Sequence, residues 1–257
     1  MNPIEEIKLL RAKRQEDIIQ KTFNALIMGE FGTGKSVLLG TARAPVHIDS
    51  FDPGGTKSLA KEIESGIIIP DTSYEVADPY SAFSLWENNL LRRKKDGYFD
   101  YIGTYALDSY STWIVALLKA MARKKSRAED LLQIQDWQIV TNVVRDSVKL
   151  MTSLPCDFIL TGHIVQEKDE LEGRFVSNIA ANPALQQQLP ILFDEIYCLV
   201  ATETSKGIDR KIVTSNNGKF KARTRIGRDV FALREDPSIK GMLKKIGFPE
   251  ERPGLKK

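Results

Sequence analysis

The stretch that most limits what this chain can fold into is Ala25-Leu26-Ile27-Met28-Gly29-Glu30-Phe31-Gly32-Thr33-Gly34-Lys35-Ser36. Gly29, Gly34, Lys35 and Ser36 occupy every fixed position of the spacing G-x-x-x-x-G-K-[ST]. Glycines let the backbone curl without Cβ clashes, so successive N–H groups point inward at anionic oxygens. The helix that begins near Lys35 adds the positive end of its dipole. The spacing arises by chance in roughly one chain per hundred of this length, so its surroundings decide the reading. Here an apolar run, Phe23 to Met28, precedes the glycines and a helical run, Ser36 to Arg43, follows them. Strand, glycine loop and helix in that order are the context a phosphate-binding loop requires. ATP with Mg²⁺ is the implied ligand. Gly29, Glu30, Phe31, Gly32, Thr33, Gly34, Lys35, Ser36 and Val37 are expected to cradle it. Lys35 is expected to reach the β- and γ-phosphates, and the Ser36 hydroxyl to ligate the metal.

With 257 residues, 42% apolar and 28% charged, the chain has the makings of a soluble α/β domain with a sizeable core. No apolar run approaches the ~20 residues that span a bilayer, so a cytoplasmic protein without a membrane partner is expected. Cys156 and Cys198 lie in or beside apolar runs and read as buried thiols rather than a disulfide. The net charge of +3 is unevenly spread, because residues 206–257 hold 15 Lys and Arg against 6 Asp and Glu. Such a segment suits a polyanion or an acidic neighbouring subunit, and plain solvation accounts for it equally well.

In chain order, residues 1–21 read as an N-terminal helix, 22–235 as the core and 236–257 as a basic tail. Pro45 to Asp49 reads as a strand that ends in an acidic turn, Asp49 to Gly55. Strand C-terminal ends line the ligand crevice in such sheets, so Asp52 and Asp49 are both candidates to orient an attacking water, with a turn or N-cap role open for each. His47, inside that strand, reads as a core histidine. A helix is expected over Thr56 to Ser65 and a short strand over Ile67 to Ile69. The next helix runs from Asp78 to Lys95, with Phe83, Trp86, Leu90 and Leu91 on its apolar face and four cations at its C-terminus. Tyr101 to Asp108 is an apolar strand ending in Asp, the form of a Walker B element, with Asp108 placed to hold Mg²⁺ opposite Ser36. Helices follow at Ser111 to Lys124 and Ile134 to Ser153. Asp157 to His163 is a further buried strand, with His163 at its tip as a γ-phosphate sensor or a structural histidine. Ile164 to Leu189 reads as long, polar and irregular. Glu195 to Ala201, Lys211 to Ser215 and Phe220 to Thr224 are β-type segments, the last two joined into a hairpin by Asn216-Asn217-Gly218. Lys219, Lys221, Arg223 and Arg225 alternate onto one face.

Together, the glycine loop, Leu107-Asp108-Ser109, Leu160-Thr161-Gly162-His163 and Lys221-Ala222-Arg223 resemble the RecA/RadA-like ATPase core. The resemblance extends to small phage-encoded nucleotide-binding proteins, some of which anneal single strands, and it spans roughly residues 22 to 230. It implies an α/β P-loop NTPase core whose mostly parallel central sheet is flanked by helices and ends in a C-terminal β-hairpin. It further implies an oligomeric ATPase, ring or filament, acting on single-stranded DNA in recombination. In that family His163 would sense the γ-phosphate, and Lys221 and Arg223 would reach the neighbouring subunit's nucleotide. The connection Arg123 to Asp130 and the loop Gln166 to Leu185 would face DNA. Asp52 stands where the family places a catalytic Glu, which implies slow hydrolysis. A packaging or helicase-like motor and an ATP-switched structural protein with little turnover stand as alternatives. Ser109, in place of the Glu that motors carry after the Walker B Asp, disfavours the motor.

Overall fold

The computed structural model describes residues 2–20, 22–125, 133–168, 173–226 and 228–256. The N-terminal half comprises α1 (Pro3–Gln20), β1 (Asn24–Gly29), α2 (Lys35–Leu39), β2 (Val46–Ser50), α3 (Ala60–Glu64), β3 (Ile68–Asp71), α4 (Ser73–Val76), α5 (Ala82–Lys95) and β4 (Thr104–Asp108). Then follow α6 (Tyr110–Lys124), α7 (Ile134–Thr152), β5 (Asp157–Lys168), β6 (Phe175–Ile179), α8 (Pro183–Gln188), β7 (Glu195–Thr204), β8 (Gly207–Val213), β9 (Arg223–Thr224), β10 (Arg234–Glu235) and α9 (Ile239–Lys245).

The sheet runs β10-β8-β7-β1-β5-β4-β2-β3. From β7 to β3 every pairing is parallel, and β8 and β10 extend the other edge antiparallel. One strand, β5, therefore separates the glycine-loop strand from the Asp108 strand. Register brings Gly29 opposite His163, Leu107 opposite Leu160 and Ser50 opposite Asp108. The C-terminal ends of four strands thus open on one crevice. This is the α/β architecture the motifs imply, a mostly parallel central sheet flanked by helices.

The central strands are largely apolar because helices bury both faces of the sheet. Leu26, Met28, Tyr105, Leu107, Phe158 and Leu160 turn to the face covered by Trp86 of α5, Trp113 of α6 and Val140 of α7. Ala25, Ile27, Ala106 and Ile159, one residue out of phase, turn to the opposite face, against Leu38 and Leu39 of α2 and Leu243 of α9. Phe83, Trp86 and Leu90 of α5 are buried, whereas Leu91 is half exposed. Cys156 and Cys198 are buried free thiols, both pushed up to about 12 by burial. Among the described residues no helix is long and apolar enough to cross a membrane.

Three expectations need correcting. The helix after the glycine loop stops at Leu39 instead of reaching Arg43, because Arg43 turns inward to pair with Asp157. The described residues of 164–189 are not irregular: β5 runs on to Lys168 and pairs antiparallel with β6, with α8 following. The β5–β6 ladder pairs the backbone groups of these two strands without the apolar run that would have announced a strand. The hairpin also forms one connection earlier than Asn216-Asn217-Gly218. β7 and β8 pair through Ser205 and Lys206, and β9 returns to β7 rather than to β8. The Asn217 side chain accepts the N–H groups of Lys219 and Phe220, an Asx turn that sends the chain across Ser177 of β6. The β8 edge is taken by β10.

Asp157 ties the sheet together at the end away from the crevice, at the foot of β1 and β5. Its carboxylate accepts Arg43 Nε at 2.7 Å, Arg43 Nη2 at 2.8 Å and the Phe23 amide at 2.8 Å, with both side chains almost wholly buried. Removing one partner of such a pair strands the other charge. Asp157→Ala is therefore expected to lower the unfolding free energy by about 3–5 kcal/mol in urea denaturation. Arg123→Ala, which breaks an exposed pair with Asp78, is expected to change it by less than about 1 kcal/mol.

Candidate nucleotide-binding site

The loop between β1 and α2 depends on its glycines at specific points. Gly32 and Gly34 adopt φ of +76° and +97°, left-handed values that favour glycine. A Cβ on Gly29 would meet Leu199 O and Thr33 Oγ1 at 2.7 Å. Thr33 Oγ1 donates to Glu30 O at 2.9 Å, closing the loop on itself. Lys35 Nζ donates to Gly29 O at 3.1 Å and Glu30 O at 2.9 Å. Burial lowers the pKa of this ammonium, with Asp108 and then Asp52 pulling it back up. The Glu30 and Phe31 side chains are exposed, Phe31 to 93%, and Val37 is half exposed at the mouth.

Across the crevice Ser36 Oγ donates to Asp108 Oδ2 at 2.6 Å. The Thr161 hydroxyl donates to Asp108 Oδ1, a contact for which the sequence carries no signal beyond a Thr two residues before His163. Burial raises the Asp108 pKa, held back by the two hydroxyls. The hydroxyl and carboxylate oxygens of Ser36 and Asp108 are hard donors of the kind Mg²⁺ takes, so the site fits that ion. His163 Nδ1 lies 3.5 Å from Lys35 Nζ, and its pKa is lowered by burial and then by the Lys35 charge. The His163 amide donates to Ser111 Oγ at 3.2 Å.

The two acidic candidates part company. Asp52 lines the crevice; its Oδ1 accepts the hydroxyls of Ser109 at 3.1 Å and Thr112 at 2.5 Å. Among the described residues no donor is bonded to its Oδ2. Asp49 is fully buried and points into the body, bonded to His47 Nε2 at 2.9 Å, Arg93 Nη1 at 2.9 Å and Tyr105 Oη at 2.6 Å. His47 is a core histidine, also bonded to Tyr98. Of the four cations that end α5, Arg93 alone joins this cluster, reaching Asp71 as well. The loop that carries Asp52 is braced from outside, where Gly54 donates to Glu75 Oε2 at 2.8 Å and Phe51 stacks on Tyr74 with centroids 5.0 Å apart.

The resulting cavity of about 680 Å³ gathers Lys35, Ser36, Asp52, Asp108 and His163, a volume in the range of small-ligand sites. It also takes in Arg210 of β8, which sequence reasoning missed. Lys221 and Arg223 do not line their own chain's cavity. Lys221 is exposed, and Arg223 Nη2 donates to the carbonyls of Pro190 at 2.6 Å and Phe193 at 3.0 Å. Of the two segments with a DNA-facing expectation, residues 126–130 and 169–172 lie outside the described residues.

A family described as an AAA domain matches residues 21–226. The chain belongs to that family, and its fold is that of a P-loop ATPase. Among solved structures it is similar to the KaiC-like protein of the hyperthermophilic archaeon Pyrococcus horikoshii, at 13% identity and a TM-score of 0.42. That similarity covers 74% of this chain and 77% of the other. No curated protein sequence matches the chain.

The separation of the two aspartates is open to direct measurement. Asp49→Ala removes the anion from a buried cluster and is expected to lower the unfolding free energy by about 3–5 kcal/mol. Asp52→Ala leaves two hydroxyls that water can serve and is expected to lower it by about 1 kcal/mol at most. Equal losses in urea denaturation contradict the assignment.

Proposed function

We propose that the chain is a Mg²⁺-dependent ATPase that works as an oligomer on single-stranded DNA, as in phage-type recombination and annealing. The observation that carries the ATPase part is the hydrogen bond from Ser36 to Asp108 at 2.6 Å, with Asp52 and His163 lining the same cavity. In this reading the loop N–H groups and Lys35 hold the β- and γ-phosphates, and Ser36 and Asp108 hold the metal. When bound, Mg²⁺ neutralises charge that develops on the phosphate oxygens. Asp52 orients the attacking water through Oδ2 while Ser109 and Thr112 fix Oδ1. His163, kept neutral by burial and by Lys35, meets the terminal phosphate as an uncharged hydrogen-bonding group. The shorter reach of Asp relative to Glu favours slow turnover.

The oligomer and DNA parts rest on the RecA/RadA-like motifs and on the basic segment 206–257, which suits a polyanion. Lys221 and Arg223 retain their proposed place against a neighbouring protomer's nucleotide. A cation supplied in trans is worth roughly 10³-fold or more in rate.

Lys35→Ala is expected to abolish hydrolysis and weaken ATP binding; Asp108→Asn is expected to abolish Mg²⁺-dependent hydrolysis with much of the binding kept. Asp52→Asn is expected to lower kcat by about 10²-fold or more at unchanged ATP affinity, as for loss of a general base. Wild-type turnover in any of the three contradicts the site. Single-stranded DNA is expected to raise the ATPase rate, and ATP to shift the protein to larger species on size exclusion. A rate indifferent to DNA and an ATP-independent monomer remove the recombination reading and leave the nucleotide site standing. Mixing Lys35→Ala with Arg223→Ala protein is expected to restore activity above either alone; no recovery rejects the trans cation.

A further inference from the structure

One cation in the crevice has no part in the scheme above. Arg210 lies on β8, two strands from β1 on the side away from β4 and β2, which carry Asp108 and lead to Asp52. Its Nε donates to the carbonyl of Thr33 at 3.1 Å, and its side chain covers Gly34, where an added Cβ would stand 3.4 Å from Nε. Gly34 thus serves two ends, a φ of +97° and room for this guanidinium. Arg210 lines the same cavity as Lys35. Among the described residues no carboxylate pairs with it, and nothing is hydrogen-bonded to its terminal nitrogens. A main-chain carbonyl fixes the group through Nε, and the fork of Nη1 and Nη2 stays available to an anion.

The polarity of the crevice sets which part of a nucleotide this fork meets. Lys35, Ser36, Asp108, His163 and Asp52 collect on the side of β5, β4 and β2, which assigns the terminal phosphate and the metal to that side. Val37 and Phe31 line the same cavity and are half-exposed and 93% exposed, and Arg210 lies over Gly34 on the flank away from β4 and β2, the flank this leaves for the rest of the nucleotide. We propose that Arg210 is a nucleotide-affinity residue acting in cis, its guanidinium gripping the α-phosphate at the nucleoside end. This rests on the nucleotide reading of the site. It gives Arg210 a role distinct from a trans cation: it binds diphosphate and triphosphate alike and does not act on the transferring phosphoryl group. The β7–β8 hairpin becomes part of the binding site.

The test compares wild type, Arg210→Ala and Arg210→Lys as full chains, by calorimetric titration with Mg·ADP and Mg·ATP and by kcat at saturating ATP. Arg210→Ala is expected to bind both nucleotides about tenfold or more weakly, as for loss of a charge-assisted contact, with kcat changed by less than about twofold. Arg210→Lys keeps the charge and stem and loses the fork; it guards against misfolding of the alanine variant and is expected to bind both nucleotides several-fold more weakly. Wild-type ADP affinity in both variants overturns the proposal. So does a kcat lowered by about 10²-fold with ADP binding unchanged, which marks a group acting on the terminal phosphate. A wild-type protein that binds neither nucleotide overturns the site reading and this inference with it.

Discussion

The crevice depends on β1 having parallel neighbours on both sides. Every peptide group of that strand faces β5 or β7, and its last residue, Gly29, lies opposite His163 on one side and Leu199 on the other. The close approach of Leu199 O leaves no room for a side chain at Gly29. The chain therefore leaves the strand at one point and in one direction. The Gly29 and Glu30 carbonyls that hold Lys35 are fixed as a consequence, and so is the start of α2 at that residue. A glycine loop on an edge strand would have one ladder to set its height; here two ladders and a buried ion pair at the foot of β1 set it.

Interposing β5 between β1 and β4 has a second effect. It widens the floor of the crevice so that Asp108 meets Ser36 from across a strand, with Thr161 of β5 placed beneath to hold its second oxygen. The acid at the next strand, β2, divides into two roles by position. Asp49 is still in the strand and its side chain falls on the buried side, where Arg93, His47 and Tyr105 neutralise and bond it. Asp52, past the strand end, belongs to a turn, and the turn lets its side chain swing back over the crevice. Three residues of separation thus distinguish a structural anion from one that faces the ligand.

The parts of the molecule that were legible in the sequence are those with an unbroken physical signature. Phe23 to Met28 is apolar because both faces of β1 are covered, and the fixed spacing from Gly29 to Ser36 encodes a loop that few other residues permit. Asp108 was readable because it ends a similar run. The hairpin of β5 and β6 was not, since beyond His163 the strand leaves the core and its side chains turn polar while its backbone stays paired. Asn216-Asn217-Gly218 carries the composition of a tight hairpin, yet β10 claims the β8 edge that such a hairpin needs, a long-range competition invisible to local pattern. Arg93 and Arg210 are single cations among many; only the fold distinguishes the one that turns inward to Asp49 or over Gly34 from its solvated neighbours.

The account stands or falls on the position of the triphosphate. A crystal structure of the full chain with Mg²⁺ and a non-hydrolysable ATP analogue tests this most directly. The β-phosphate is expected within the N–H groups of residues 32–36, the metal on Ser36 Oγ facing Asp108, and the γ-phosphate between Lys35 and His163 with a water on Asp52. Electron density for the nucleotide outside the loop, or a metal held without Ser36 and Asp108, contradicts the account.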